Sequence, residues 1–294
     1  MPGLNAQVFQ IPLEVTEHTL TFLHPRDVAS FSQTCQSAHT VVYDNPDQYL
    51  WRELFLSYFD DPRRSQGQPD DLNISYNWRH QVQRRVQAEL IALRWKKREN
   101  EIAFALEIFI AVILEAIPAL HKVHQSRSLQ WVTRILRESK ILGDGDTRTA
   151  EGDNLQLASR LRSLLALSPL TEIDEDMTEP LVATRTKSRC LVYDLRNYRR
   201  DNDYGPFLRG GKINWVHVEA IVNVITMNLG ELPKSWKHIR PSVGLEKTRA
   251  YSAHGSDVRA PEDWAGVEGS WRRYVCFMDY RYEYFPQSHN DTPD

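Results

Sequence analysis

Apolar side chains recur at helical spacing near the amino terminus: Val15, Leu20 and Leu23, then Val28, Phe31 and Cys35, then Leu50, Trp51, Leu54, Phe55 and Tyr58. Prolines followed closely by acids precede these groups, as Pro12-x-Glu14, Pro25-x-Asp27 and Pro46-Asp47, the last with Asn45 as a candidate N-cap. Proline at the first helical position gives up an N–H that would be unpaired there, and a first-turn carboxylate meets the positive end of the helix dipole. The pattern predicts three short helices over residues 1–60. So small a unit cannot hide all of these side chains within itself. Part of its apolar face needs a partner, either the rest of the chain or another protein.

Asp60 to Asp71 is polar, with prolines and a glycine, and reads as a linker, so that residues 61–77 separate the first unit from the rest of the chain. Helical spacing resumes at Trp78, with Val82, Val86, Leu90 and Leu93 on one stripe and Arg84, Arg85, Gln87 and Glu89 off it. A second helix runs through Ile102, Leu106, Phe109, Ile113 and Ile117 to Pro118; it is interrupted by Glu107 and Glu115, too short to cross a bilayer, and reads as buried. Leu129, Val132 and Leu136 mark a third, and Ala158, Leu161 and Leu165 a fourth, completing a helical region over 78–168. Between those two, Gly143-Asp144-Gly145-Asp146-Thr147 begins with the acid spacing of a calcium loop, but Arg148 and Ala150 occupy later ligand positions, so a solvated loop is expected.

The remainder, 169–294, changes character. Arg189 to Leu195 is a β-branched and aromatic run that reads as a buried strand. Asn214 can cap a helix through Trp215, Val218, Val222, Ile225 and Leu229, with Gly230 placed to end it; Ile221 and Val224 add a second stripe, predicting burial on most sides. Asp263 to Arg273 leads into a strand-like run from Tyr274 to Tyr280. Gly269-x-Trp271 entering a strand resembles the opening of lipocalin-type barrels, yet the chain after Tyr280 is too short to close one and contains Pro286 and Pro293. The expected fold is mainly α, with three N-terminal helices, a helical middle and a small α+β C-terminal part with few strands. The C-terminal part is expected to be a β domain shortened to its first strand.

With 294 residues, 41% of them hydrophobic, the chain can bury a real core, and a net charge of -3 supplies no field that would draw it to nucleic acid or an anionic membrane. Cys35, Cys190 and Cys276 are distant, odd in number and set in apolar surroundings, as expected of reduced packing residues in a cytoplasmic or nuclear protein. No charged-then-apolar N-terminal stretch suggests a signal peptide. Catalytic, cofactor and metal sites are expected to be absent. His121-x-x-His124 lacks a spaced third ligand, and His217-x-Glu219 lies on a helix where i and i+2 point apart, so both read as partly exposed polar residues. No nucleophile elbow, phosphate-cradling glycine loop or Cys-x-x-Cys pair is present; Gly210-Gly211 reads as a turn and Arg94-Trp95-Lys96-Lys97-Arg98 as a solvated face. An enzyme would require a concave pocket with converging polar groups around Tyr193 to Phe207.

The N-terminal spacing, Ile11-Pro12-x-Glu14-Val15, Leu20, Leu23, Pro25-x-Asp27-Val28, Phe31, Thr34-Cys35 and Leu50-Trp51, resembles an F-box over residues 8 to 56. Ile11 stands for the usual leucine, a volume-conserving swap, and Ala38 stands where many members carry tryptophan. The stretches Tyr193–Tyr198, Tyr204–Phe207 and Asp263–Tyr280 are similar to fungal F-box proteins of unassigned targets. The resemblance implies docking onto an Skp-type adaptor, and through it a cullin, by Ile11, Pro12, Val15, Leu20, Leu23, Pro25, Val28 and Trp51. It also implies a C-terminal body that grips an unknown protein substrate, with ubiquitin transfer left to partner subunits. The expected role is that of a non-catalytic substrate receptor of an SCF-type ubiquitin ligase. The alternative is a scaffold that delivers no substrate.

Overall fold

A computed structural model describes residues 11–62, 76–116, 126–142, 152–165, 178–230 and Leu245, with backbone alone for 178–182 and 230. The fold is mainly helical. The described helices are α1 (Leu13–Leu20), α2 (Pro25–Ser32), α3 (Gln36–Tyr43), α4 (Tyr49–Tyr58), α5 (Trp78–Leu93), α6 (Glu99–Glu115), α7 (Arg127–Glu138), α8 (Asp153–Leu165), α9 (Thr178–Tyr193) and α10 (Trp215–Gly230), with 3-10 turns at Leu195–Asn197 and Arg200–Asn202. Among the described residues there is no strand; pairing is limited to one isolated bridge between Phe207 and Ile213.

The helix starts follow local chemistry. Pro12 precedes α1, and Pro25 opens α2 after His24, whose Nδ1 accepts from Arg26 N–H at 3.2 Å. Four helices stand where three were expected, because the Val28, Phe31, Cys35 stripe is broken: α2 ends at Ser32 and Cys35 caps α3, its Sγ accepting from Ala38 N–H. Asn45 caps no helix. Gln48, with a left-handed φ of 53°, precedes α4 instead, while Asp47 Oδ1 accepts from Tyr49 N–H at 3.0 Å.

The core centres on α6, where Ile102, Ala105, Leu106, Ile108, Phe109, Ile110, Val112 and Ile113 are buried on nearly every side. Full burial of each larger aliphatic or aromatic side chain contributes about 1.5–3 kcal/mol, so α6 contributes more apolar stabilisation than any other described helix. Helices α5, α7 and α8 pack around it. Helix α4 packs on α5 at one side, and α10 joins α8 to α9 at the other. One continuous apolar cluster therefore runs from Leu20 to Leu161 and includes Leu245. Helix α10, expected as the core of the body, is instead peripheral: only His217, Ala220, Val224 and Thr226 are buried along it, and Ile225 is half exposed.

Two expectations fail for the same reason. The stripe predicted for α5 is rotated, since Arg85 and Glu89 are buried while Leu93 is exposed. Helix α5 is wedged between α4, α6 and α7, and its polar side chains find partners there. The strand expected over Arg189 to Leu195 is the end of α9 followed by a 3-10 turn; a short apolar run does not separate strand from helix, and packing against α10 decides it. Cys35 and Cys190 are exposed thiols, not packing residues. Cys276, most of the 61–77 linker, His121, His124, Gly143–Thr147 and Tyr274–Tyr280 lie outside the described residues. No described helix is long and apolar enough to cross a membrane.

Candidate docking face and polar pocket

Helix α1 is amphipathic in an inverted sense. Its buried residues are Thr16, Glu17 and Leu20, while Val15 is 51% exposed. The Glu17 carboxylate, 4% exposed, accepts a 2.5 Å hydrogen bond from Asn45 Nδ2. Ile11, one helical turn before Val15, and Phe22, two turns after it, are also exposed, as are Pro12, Leu13 and Leu23. Phe22, at 77% exposure, touches only the edge of the His18 ring at 5.1 Å among ring contacts. An acid inside and aliphatics outside is the reverse of what burial in water favours.

Of the eight expected adaptor contacts, Ile11, Pro12, Val15 and Leu23 face solvent. Leu20, Pro25, Val28 and Trp51 do not: they are buried by the chain's own helices. Trp51 is fixed by its indole N–H donating to the Val42 carbonyl at 2.9 Å and by stacking on Tyr43 at 5.7 Å. Pro25 and Trp51 also line an apolar groove of about 330 Å3 bounded by Ala29, Val82, Val86 and Leu90. Ala38 is fully buried, so this position serves the internal packing of α3.

The N-terminal helices are tied to the helices that follow by polar groups. The Arg85 guanidinium lies over the rings of Phe55 and Phe59 at 4.8 and 5.0 Å and donates to Glu115 at 2.8 Å and to the Gln81 side chain at 2.7 Å. Burial pulls its pKa down, opposed by Tyr76 and Glu115. Glu89 accepts from the Trp131 indole at 3.0 Å and pairs with Arg134 at 3.6 Å. Asp60, read from sequence as the start of a linker, instead fixes the start of α7: it accepts from Ser126 Oγ and Arg127 N–H and donates its own N–H to Ser128 Oγ.

A second feature lies beyond α9. The two 3-10 turns, the Phe207–Ile213 bridge and the first turn of α10 enclose a polar pocket of about 520 Å3. The bridge closes over Gly210 and Gly211, whose φ values of +89° and +78° suit glycine, so the turn expected there is present. At the pocket wall, Asp194 Oδ1 accepts from Arg196 N–H at 3.0 Å, and its carboxylate grips the Arg196 guanidinium through bonds of 2.7 to 3.0 Å. Those bonds hold the Asp194 pKa down to about 2. Arg209 pairs with Asp201 at 3.3 Å.

His217 is buried at 2% exposure, not partly exposed as expected, because α10 packs on the turn holding Tyr198. Tyr198 donates its single proton to the Val192 carbonyl at 2.7 Å, so the 3.2 Å contact to His217 Nε2 requires the imidazole to donate there. Burial pushes the imidazole pKa below its usual value. Glu219 turns away to pair with Arg162 at 3.8 Å, so His217 and Glu219 share no ligand. Among the described residues no cluster of His, Cys, Asp and Glu could hold a metal. The arginines around the pocket carried no motif in sequence; the only signal was their density between Asp194 and Lys212. No family model matches the chain, and neither a curated protein nor a solved structure matches it.

Proposed function

We propose that this chain is a non-catalytic substrate-recognition subunit of an SCF-type E3 ubiquitin ligase, docking on an Skp-type adaptor and through it on a cullin. The observation that carries the reading is the inverted polarity of α1, with Glu17 inside and Leu13 and Val15 outside, continued by the exposed Ile11, Phe22 and Leu23 that flank it. Apolar surface held outward against the hydrophobic effect is what an interface core needs. Ile11, Pro12, Val15 and Leu23 would touch the adaptor, while Leu20, Pro25, Val28 and Trp51 would hold the docking helices in shape from within. The body after residue 78 would grip a protein target in the cytoplasm or nucleus, with the Tyr274–Tyr280 run adding a small β element to its C-terminal part.

A scaffold that binds without delivering substrate is favoured by one observation, the burial of Leu20, Val28 and Trp51 in the chain's own core. The two readings separate on co-purification. The full chain should capture an Skp adaptor with its cullin, and identification of further bound proteins tests delivery. Val15→Asp with Leu23→Asp should abolish capture while leaving the melting temperature unchanged. Adaptor capture that survives this double substitution would overturn the docking assignment.

A further inference from the structure

The polar pocket between the 3-10 turns and α10 contributes nothing to the apolar core, yet it is built with care. From Asp194 to Lys212 there are five basic side chains against three acids, in a chain whose net charge is -3. Arg196, Arg199 and Arg209 line the pocket with Asp194 and Asp201. Each of two arginines is gripped by a carboxylate along one edge: Nε and Nη2 of Arg196 by Asp194, and Nε of Arg209 by Asp201. A guanidinium presents five N–H donors in a rigid fork, so both keep donors for a ligand; Asp194 sets the direction of Arg196, while Arg209, exposed and held by a single bond, can adjust to what it meets. Arg199 holds no ion pair among the described residues. The neutral His217 and the amides of Asn197 and Asn202, spent on the Leu191 and Asn197 carbonyls, make a floor that adds no competing negative charge.

We infer that this pocket binds the side-chain oxyanion of an acidic protein segment, a carboxylate or a phosphate monoester, through Arg196, Arg199 and Arg209. The oriented fork of Arg196 suits a planar or tetrahedral oxyanion, and a wall with one guanidinium in excess over its carboxylates favours an anion over a cation. The inference deepens the substrate-receptor reading by naming the target's chemistry, and rests on that reading for its biological meaning.

The test uses the full chain and labelled short peptides: a glutamate-flanked phosphoserine peptide, its counterpart with glutamate replacing phosphoserine, and a control with glutamine at every acid. Fluorescence anisotropy at low and at physiological salt should show one or both acidic peptides binding, more weakly as salt rises, and the control not binding. Which acidic peptide binds more tightly identifies the oxyanion. Arg199→Gln with Arg209→Gln should weaken binding at least about tenfold, whereas Arg137→Gln, on the exposed side of α7, should not. Failure of both acidic peptides to bind, or binding unchanged by the double substitution, overturns the inference. Adaptor capture measured on the same double variant keeps the two readings apart, since the docking face contains none of these arginines.

Discussion

Arg85 offers the sharpest test of how the N-terminal helices are fastened to the body. Its guanidinium sits between Phe55 and Phe59 of the α4 end and Glu115 of α6, and only its Nε lacks a hydrogen-bond partner. Truncation to alanine empties the space over two adjoining aromatic rings. Comparable large-to-alanine changes in cores cost about 2–5 kcal/mol. The partner left behind softens the loss, because the Glu115 side chain is 49% exposed and can be rehydrated, so the full penalty of an abandoned buried charge does not apply. Arg85→Ala should therefore cost about 2–4 kcal/mol. Arg85→Met keeps an apolar stem against both rings and removes the orphan Nε together with the desolvation cost of the charge, so it should lie within about 1.5 kcal/mol of the parent. Urea titration of the full chain, followed by tryptophan fluorescence, reads both, since Trp78 and Trp131 flank Phe55 and Phe59 at 5.2 Å. Methionine as damaging as alanine would mean that charge, not volume, carries this joint, and the reasoning would fail.

Three further outcomes rest on named contacts. Leu20→Asp should unfold or strongly destabilise the N-terminal helices because Leu20 is buried, whereas Val15→Asp should stay within about 0.5 kcal/mol of the parent; equal thermal shifts would refute the inverted face of α1. Asp60→Ala should cost about 1–2 kcal/mol by stripping the start of α7 of its acceptor, with Asp60→Asn retaining part of it, as read by the urea midpoint. His217 has a folded pKa lowered from 6.5 by burial, so the unfolded chain takes up the proton first as pH falls. Its contribution to stability is complete above about pH 6.5 and is lost on acidification towards the lowered value. His217→Gln should flatten that part of the stability profile, and an unchanged profile would assign the pH dependence elsewhere.

The apolar skeleton was legible in sequence. Ile102, Leu106, Phe109 and Ile113 predicted a buried helix, and α6 is one; Trp78, Val82, Leu129, Val132, Ala158 and Leu161 are buried where helical spacing put them. Beyond the strand expected at Arg189 to Leu195 and the core role expected of α10, what escaped was polar. Arg85 and Glu89 read as the solvent side of α5 because periodicity assigns charged residues outward, and it is the facing Phe55, Phe59, Glu115, Trp131 and Arg134, distant in sequence, that make burial tolerable. The polar pocket escaped for a related reason. Its arginines are set by 3-10 turns and a left-handed Gly210-Gly211 turn, not by a repeating period.

Burial is answered differently at α5 and at α1. At α5 an inward charge is answered by aromatic rings and counter-charges, so its burial needs no outside partner. At α1 the inward Glu17 is answered by Asn45, but the outward Ile11, Val15, Phe22 and Leu23 leave apolar surface in water. Rotating α1 about its axis to hide Val15 would expose Leu20 and strip Glu17 of Asn45, so the lone chain cannot remedy one fault without creating another. A second protein that covered the aliphatics while leaving the Glu17–Asn45 bond intact would relieve this conflict, as the proposed adaptor would. Since α1 contacts both α3 and α4, and Arg85 and Asp60 tie the α4 end to α5, α6 and α7, a partner held at α1 would carry the pocket beside α10 as part of one packed framework.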